Sequence, residues 1–339
     1  MSINSYTKKI TLSNYDAIFV DECSTIDNHT MSVFLEKMSK DTFLVLAGDI
    51  HQIESIEFGN WFFYAKDIVN KQSANIELLN TWRTKDQILI NLWNEVRNQG
   101  SLITEMLVID GPFSEDIGPN VFQQEADDEV ILCLNYDGKF GLNNMNNYFQ
   151  NSNSKGELVS WQEWNYKVGD PILFNETKRF SLLYNNLKGR IAEIEKARDK
   201  ISFTIDVDIQ LTERDCRREE IEFIDVMENG TRIRFTVYAG DDDASDEDMR
   251  KKSVVPFQLA YAVSIHKAQG LEYDSVKVVI PSNNAEKITH GVFYTAITRA
   301  KKKLKIYWSS ETMQEIVKGF SMDGIKSKSL EVVKAKLLV

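Results

Sequence analysis

Short apolar runs alternate with helical patterns in the first third of this chain, and this alternation restricts its possible folds. The runs AIFV (17–20) and FLVLA (43–47) have the length and composition of parallel strands that are buried on both faces. Between them, four apolar residues have helical spacing: Met31, Phe34, Leu35 and Met38. Strands that alternate with helices predict a parallel sheet, whose ligands bind at the carboxyl ends of the strands.

A clear amphipathic helix follows in the same third of the chain. Thr84 and Gln87 have the spacing of a capping box, in which Thr84 caps the helix. The apolar face comes directly afterwards and comprises Ile88, Leu89, Leu92, Trp93 and Val96.

A second α/β unit begins near residue 120 and is interrupted by a β-rich stretch. VILCL (130–134) reads as a buried strand, and a helix follows it. Apolar residues then alternate strictly with polar ones from Ile201 to Leu211, which is typical of a half-exposed antiparallel strand. IRFTV (233–237) repeats this period after the turn signal Asn229-Gly230. We therefore predict a small, barrel-like β insertion over residues 190–253.

The α/β pattern resumes after this insertion. FQLAYAV (257–263) and VKVVI (276–280) read as strands, a helix is expected over Val292–Ala300, and LKIYW (304–308) reads as a final strand. The tail beyond about residue 311 is rich in lysine and is expected to be helical.

Composition restricts the class of protein. The chain of 339 residues is 42% hydrophobic and 27% charged, as is common in soluble globular proteins. No apolar run approaches the roughly 18 residues of a membrane helix, and MSINSYTKKITL (1–12) lacks the apolar core of a signal peptide. Three widely spaced cysteines form neither a disulfide framework nor a metal cluster, which favours a reducing cytoplasm: Cys23, Cys133 and Cys216.

The net charge of −11 argues against a protein that coats DNA indiscriminately. A narrow basic channel is still compatible with this total, because binding depends on local charge. Much of the acidic excess lies in DDDASDED (241–248), for which we expect a solvated, mobile loop.

Two neighbouring strand ends carry the groups that suggest chemistry. Asp21 and Glu22 follow the first strand, and two adjacent carboxylates are costly there unless a cation compensates them. They read either as exposed loop acids or as a Walker B pair, in which Asp21 holds Mg²⁺ and Glu22 orients the attacking water. Gln52 follows the next strand in GDIHQI and would contact a terminal phosphate at the same edge.

SIHKAQGLEY (264–273) follows an apolar run and places several function-capable groups within ten residues. Gly270 permits the backbone to approach a ligand closely. For His266, a structural imidazole and a ligand contact are equally compatible with the sequence.

Five segments together resemble the motifs of superfamily 1 helicases, in that family's order. DECS resembles motif II, GDIHQIESIEFGNWF motif III, NTWRT motif IV, SIHKAQGLEYDSV motif V and FYTAITRAK motif VI. The resemblance implies an α/β protein with two RecA-like parallel-sheet motor domains, the first of them incomplete, and an SH3-like β-barrel insertion in the second.

The implied domain organisation covers the whole chain. Residues 1–105 would form the C-terminal part of the first RecA-like domain, 106–189 and 254–312 the second, 190–253 the insertion and 313–339 a lysine-rich tail.

The resemblance also implies roles for individual residues. Four would act in catalysis: Glu22, Gln52, Arg83 and Arg299, the last as an arginine finger. Four would hold the nucleotide: Asp21 through Mg²⁺, Trp82 by stacking on adenine, Gly270, and Glu272 through the ribose. Five would contact nucleic acid: Trp61, His266, Lys267, Gln269 and Thr295.

Alternatives stay open for part of this set. Core packing explains Phe62 and Phe63 better than base stacking does, and it is the default for Trp61 and Thr295 as well. Lys301–Lys303 read equally well as phosphate contacts and as a solvated surface. The RecD-like branch is resembled by LLYNNLKGRIAEIE and HKAQG, and the UvrD-like branch by TWRT and GNWF. Of the two directions of translocation, we favour 5′ to 3′.

A Walker A loop, GxxxxGK[ST], does not occur in the sequence. Because its backbone amides and lysine cradle the β and γ phosphates, we expect the chain to begin within the first motor domain and to be inactive alone. Three hypotheses follow: the C-terminal part of an ATP- and Mg²⁺-dependent DNA helicase, a non-catalytic nucleic-acid-binding module, or one half of a split motor. The expected partners are single-stranded or partly duplex DNA and an N-terminal half or partner chain with a Walker A loop.

Overall fold

The computed structural model describes residues 12–55, 57, 59, 61–69, 74–110, 113–175, 179–240 and 247–320. The helices are α1 Asn28–Glu36, α2 Trp61–Ile68, α3 Gln87–Arg97, α4 Ile103–Glu105, α5 Leu142–Ser152, α6 Glu213–Arg217, α7 Glu247–Ser253, α8 His290–Ile297 and α9 Ser310–Phe320. The strands are β1 Ala17–Val20, β2 Phe43–Leu46, β3 Ser114–Glu115, β4 Glu129–Cys133, β5 Val159–Trp161, β6 Trp164–Tyr166, β7 Pro171–Phe174, β8 Lys188–Lys196, β9 Lys200–Val207, β10 Glu222–Met227, β11 Gly230–Tyr238, β12 Phe257–Leu259, β13 Ala262–Ser264, β14 Tyr273–Val279 and β15 Ala300–Tyr307.

The chain divides into two compact units. Unit 1 comprises Met1–Asp116 together with Pro281–Val339, and unit 2 comprises Ile117–Ile280. The region 281–312, which we assigned by resemblance to the second motor domain, therefore belongs to the same compact unit as the first third of the chain. The predicted domain boundaries do not coincide with these units and stay a prediction.

In unit 1, β1 and β2 form a parallel pair with one covered face. Cys23, Met31 and Phe34 are buried against the side on which Val20 lies. On the other side Phe19 is 75% exposed and Phe43 67% exposed. The expectation that both faces of these strands are buried is therefore wrong for the described residues, in which no element covers the second face.

Helix α3 begins later than the capping-box pattern predicted. Its N-cap is Asp86, whose carboxylate accepts hydrogen bonds from the amides of Ile88 and Leu89. Thr84 instead accepts a hydrogen bond from the amide of Asp86, and Gln87 is the first helical residue. The predicted core face is confirmed at four positions, Leu89, Leu92, Trp93 and Val96, whereas Ile88 is half exposed.

Helices α3 and α8 are joined by side chains that bond to backbone. Trp93 Nε1 donates to the carbonyl of Ile297 at 3.1 Å, and His290 Nε2 donates to the carbonyl of Val96 at 2.7 Å. β15 follows α8 and pairs in parallel with β3. The predicted helix over 292–300 thus ends earlier, and the last strand begins at Ala300 rather than Leu304.

Unit 2 contains parallel strands, as the alternation of patterns predicted. β4 lies between β13 and β14 and pairs in parallel with both. Helix α5 is fixed to β13 by Asn146, whose amide group donates to the carbonyl of Ala262 and accepts from its N–H.

An antiparallel sheet occupies the β-rich part of unit 2, in the order β10-β11-β9-β8-β7-β12. The hairpin predicted at Asn229-Gly230 is present, since Met227 pairs with Gly230. The sheet extends beyond residues 190–253, because β7 and β12 belong to it. Strand β9 is also more buried than predicted: Ser202 and Thr204 are buried together with their apolar neighbours. Closure into an SH3-like barrel stays a prediction.

Parts of two predictions lie outside the described residues: residues 241–246 of the acidic run, and the tail beyond Phe320. Glu247 begins helix α7, so the end of the acidic run is helical. In the part of the chain that is described, no helix combines the length and apolar character needed to cross a bilayer.

Candidate active site

Asp21 and Glu22, which follow β1, and Asp49, which follows β2, lie at the same edge of the β1–β2 pair in unit 1. The ladder continues past the strands, because Ala47 N donates to Val20 O and Cys23 N donates to Ala47 O. Asp21 and Glu22 therefore emerge next to the turn that begins at Asp49. The sequence predicted this meeting from the parallel strand order alone.

Glu22 has an unusual backbone conformation. Its φ of 52° and ψ of 41° lie in the left-handed region, which non-glycine residues adopt at a cost. Burial and the neighbouring charge of Asp21 raise the pKa of Glu22, while the guanidinium groups of Arg299 and Arg83 oppose this rise. The backbone of Glu22 is therefore strained, and its carboxylate is more basic than usual.

Arg299 is 1% exposed at the end of helix α8. Its Nε donates to the carbonyl of Thr295 at 2.9 Å, and its Nη2 donates to Thr298 Oγ1 at 3.1 Å. Burial, followed by the charge of Arg83, lowers the pKa of Arg299 to about 10, and Glu22 acts in the opposite direction. The guanidinium is therefore held rigidly by the helix that carries it.

Arg83 reaches the same helix end from a different part of unit 1. Its Nη1 donates to the carbonyl of Thr298 at 2.6 Å. Two guanidinium groups thus meet at Thr298, and the charges of both act on Glu22. The resemblance implied catalytic roles for Glu22, Arg83 and Arg299, and these roles stay a prediction.

Gln52 contributes an amide to this cluster. Its Nε2 lies 3.4 Å from Asp49 Oδ2, and its Oε1 is buried and accepts no hydrogen bond from the described residues. The turn that carries it is fastened to helix α8, since Ile53 N donates to Thr295 Oγ1 at 2.9 Å. A Cβ on Gly291 would lie 2.8 Å from the carbonyl oxygen of Gln52, so only glycine allows this close packing.

Sequence reasoning gave Thr295 a different role. We predicted a nucleic-acid contact, but in this structure the residue is fully buried and its hydroxyl accepts from Ile53. Sequence reasoning also missed Gly291, His51 and His290. His51 lies edge-on to His290, with 6.2 Å between ring centroids. No motif identifies these contacts, because they depend on the approach of α8 to the turn after β2.

The two predicted tryptophans have contrasting environments. Trp82 is 94% exposed and presents a free aromatic face. Trp61 packs against the core of unit 1, and its Nε1 donates to the carbonyl of Ile26 at 2.7 Å. Trp61 is therefore a packing residue in this structure, as the alternative interpretation of the sequence had it. Its contact with nucleic acid stays a prediction.

The residues predicted from SIHKAQGLEY lie in unit 2, on the turn that joins β13 to β14. Gly270 has a φ of 76°, which requires glycine. His266 and Glu272 are exposed, whereas Lys267 and Gln269 are partly buried. Lys267 Nζ donates to Asn175 Oδ1 at 2.5 Å and to Gln258 Oε1 at 2.8 Å.

Mg²⁺ was predicted at Asp21. Among the described residues no group of three or more His, Cys, Asp and Glu side chains is arranged to hold a metal ion. Mg²⁺ needs less than this, because proteins usually bind it through one or two carboxylates together with substrate phosphates and waters. The exposed carboxylate of Asp21, which accepts only the amide of Glu22 among the described contacts, fits that requirement.

Two family models match separate parts of the chain. One describes an AAA domain and matches residues 2–107, and the other describes a UvrD-like helicase C-terminal domain and matches residues 259–307. The first match contains the strand ends at Glu22 and Asp49, and the second contains both SIHKAQGLEY and Arg299.

Curated relatives include the RecD subunit of the RecBCD enzyme from Buchnera aphidicola, which is 23% identical over 91% of this chain and 56% of its own length. The ATP-dependent DNA helicase Pif1 of Campylobacter jejuni is 24% identical over 88% of this chain and 71% of its own length. The chain spans about half the length of the RecD relatives that it matches.

A similar solved structure is Pif1 helicase from Bacteroides in complex with ADP-AlF3 and ssDNA. It has a TM-score of 0.54 at 14% identity and covers 98% of this chain and 77% of its own. The likeness supports an α/β RecA-like fold. Together with the two family models and the RecD and Pif1 relatives, this confirms the predicted resemblance to superfamily 1 helicases.

Proposed function

We propose that this chain is the ATP-hydrolysing and DNA-contacting part of a superfamily 1 DNA helicase or translocase. The observation that carries the proposal is the cluster in unit 1 in which Arg83 and Arg299 meet at Thr298 and act electrostatically on Glu22. A module that only binds nucleic acid has no chemical need for a buried and a partly buried guanidinium group beside a carboxylate of raised pKa.

Glu22 is the proposed general base. A catalytic base works best when its pKa approaches the working pH, and burial beside Asp21 raises the pKa of Glu22 in that direction. The carboxylate would orient a water molecule towards the terminal phosphate of ATP and accept its proton.

Arg299 and Arg83 are the proposed electrostatic groups. Charge develops on the phosphoryl oxygens during transfer, and a fixed guanidinium stabilises it without having to reorganise. The hydrogen bonds of Arg299 to Thr295 and Thr298 supply this fixation. Gln52 would accept from the attacking water through Oε1, which has no partner among the described residues, or donate to the terminal phosphate through Nε2.

The remaining nucleotide contacts follow from the predicted motifs. Asp21 would hold Mg²⁺, which when bound neutralises phosphate charge, and the exposed indole of Trp82 would stack on adenine. Gly270 and Glu272 complete the proposed nucleotide contacts. The proposed nucleic-acid contacts are His266, Lys267 and Gln269, all on one turn of unit 2, with Trp61 as a further candidate.

The exposed side of β1 and β2 favours a split motor as the second candidate. Parallel sheets are normally covered on both faces, yet Phe19 and Phe43 are largely exposed in the described structure. A polypeptide that carries a Walker A loop would cover this face beside Asp21 and Glu22. Under this proposal, F19S/F43S leaves the stability of the isolated chain nearly unchanged but abolishes assembly of an active motor.

Two measurements on the 339-residue chain test the proposal. We expect fluorescence anisotropy to show binding of single-stranded oligonucleotides, and phosphate release to be very slow because the sequence has no Walker A loop. Any hydrolysis that is observed should disappear in Glu22→Gln, whose amide cannot accept a proton. A chain that binds no oligonucleotide, or a Glu22→Gln variant with wild-type turnover, would contradict the proposal.

A further inference from the structure

Lys267 is held by two neutral amides of the antiparallel sheet in unit 2. Its Nζ lies 2.5 Å from Asn175 Oδ1 and 2.8 Å from Gln258 Oε1. Gln258 is in strand β12, which pairs with β7, and Asn175 follows β7 directly. The backbone N–H of Asn175 also donates to the carbonyl of Pro256 at 2.8 Å. Both oxygen atoms therefore sit on one hydrogen-bonded strand pair, in a fixed relation to each other.

The partners of Lys267 differ in charge from those of two other lysines in unit 2. Lys188 pairs with Asp128 at 2.6 Å, and Lys277 pairs with Glu129 at 3.1 Å. No carboxylate of the described residues forms an ion pair with Lys267, and the burial of its ammonium lowers its pKa. The fold thus neutralises Lys188 and Lys277 but leaves the positive charge of Lys267 uncompensated.

The hydrogen-bonding capacity of Lys267 is also incomplete. An ammonium group has three N–H donors, and the two amides occupy two of them. The third N–H and the full positive charge remain for an anion. The backbone of Lys267 is fixed as well, because its N–H donates to Ser264 Oγ at 3.1 Å.

We propose that Asn175 and Gln258 are positioning residues that hold the ammonium of Lys267 ready to contact a phosphate of single-stranded nucleic acid. The inference rests on the proposed function and extends it, because it makes the antiparallel sheet part of the nucleic-acid site. Neutral amides are suited to this role because they orient an ammonium without cancelling the charge that attracts a phosphate.

Asn175→Asp and Gln258→Glu separate positioning from a purely structural tether. Each substitution keeps the shape of the side chain but adds a carboxylate next to Lys267. If the amides only tether Lys267, the new ion pair holds it at least as firmly as the original hydrogen bond. If Lys267 contacts a phosphate, the new carboxylate neutralises its charge and weakens that contact. Asn147→Asp, on the exposed side of α5, makes the same change in net charge and serves as the matched control.

The experiment measures oligo-dT affinity of the full chain by fluorescence anisotropy over a series of salt concentrations. Each phosphate contact contributes about 0.7 to the slope of log K against log salt for a single strand. Lys267→Met, Asn175→Asp and Gln258→Glu should each reduce the slope by about this amount, and Asn147→Asp should not. Urea unfolding should show that the two acidic variants are no less stable than the wild type.

Four results would overturn the inference. Wild-type slopes in both acidic variants, with a reduced slope in Lys267→Met, would show that the amides only tether the lysine. A wild-type slope in Lys267→Met would remove the phosphate contact altogether. An effect of Lys267→Met on Mg·ATP binding, with no effect on oligo-dT, would assign the phosphate to the nucleotide. If the wild-type chain bound no oligo-dT, the proposed function would fail and this inference with it.

Discussion

Substitutions of Glu22 should stabilise the chain, because both its backbone and its charge are unfavourable in the folded state. The left-handed backbone costs a non-glycine residue roughly 1–2 kcal/mol, whereas glycine in the folded chain loses about 0.5–1 kcal/mol of additional entropy. Glu22→Gly should therefore gain about 0.5–1 kcal/mol from the backbone alone. Gln99 has the same φ of 52° and lies in an exposed turn, so Gln99→Gly is the matched control for this contribution.

The charge of Glu22 has a separate signature in its pH dependence. Because the folded pKa of Glu22 is raised above its ordinary value of 4.5, the ionised form is disfavoured by folding. The wild type therefore loses stability relative to Glu22→Gln as the pH rises from about 4.5 through the folded pKa. Below pH 4 Glu22 of the wild type is protonated and neutral, like the glutamine of the variant, so the difference in stability between the two proteins disappears.

Urea unfolding followed by tryptophan fluorescence at pH 4 and pH 7.5 measures both contributions. Glu22→Gln should be more stable than the wild type at pH 7.5 only, Gln99→Gly should be more stable at both, and Glu22→Gly should combine the two effects. A Glu22→Gln variant that is less stable than the wild type at pH 7.5 would refute the reasoning. It would mean that the attraction of Arg299 and Arg83 outweighs burial and the charge of Asp21.

Two further predictions concern buried polar contacts. Lys277→Met should destabilise unit 2 by about 3–5 kcal/mol in urea unfolding, because Glu129 is left buried without its cation. Addition of Glu129→Gln should recover most of this loss. A double variant as unstable as Lys277→Met would argue against the ion pair. Thr295→Val should cost about 1–3 kcal/mol, because the buried amide of Ile53 loses its acceptor. Thr295→Ser keeps the hydroxyl and should restore protection of the Ile53 amide in hydrogen exchange, whereas equal protection in both variants would show that this bond is unimportant.

The parallel strands and the acidic edge could be predicted from the sequence because they depend on local patterns. Short apolar runs specify β1, β2 and β4, and parallel order alone brings Asp21, Glu22 and Asp49 to one edge. Arg83 and Arg299 were predicted only through the order of five motifs, since nothing local distinguishes Arg299 from the lysines that follow it.

Other features depend on tertiary contacts that no local pattern contains. The burial of Thr295 and the need for Gly291 arise where α8 packs on the turn that carries Gln52. Asp86 replaced Thr84 as the cap of α3, because an aspartate two residues later can accept from the first helical amides. The two amides that bind Lys267 belong to Asn175 and Gln258, which lie 92 and 9 positions before it in the sequence. Only the pairing of β7 with β12 brings these two side chains together.

The catalytic assignment of Glu22, Arg83 and Arg299 is tested most sharply by ATP hydrolysis, measured on the chain purified under native conditions together with its bound partners. We expect turnover that single-stranded DNA stimulates and that Arg299→Ala lowers by about 10³–10⁵, with little change in ATP affinity. Arg299→Lys should rescue poorly, because an ammonium cannot reproduce the forked contacts of a guanidinium. Hydrolysis at the wild-type rate in Arg299→Lys or Arg299→Ala, or no DNA-stimulated hydrolysis at all, would contradict the assignment of this cluster as the motor's catalytic site.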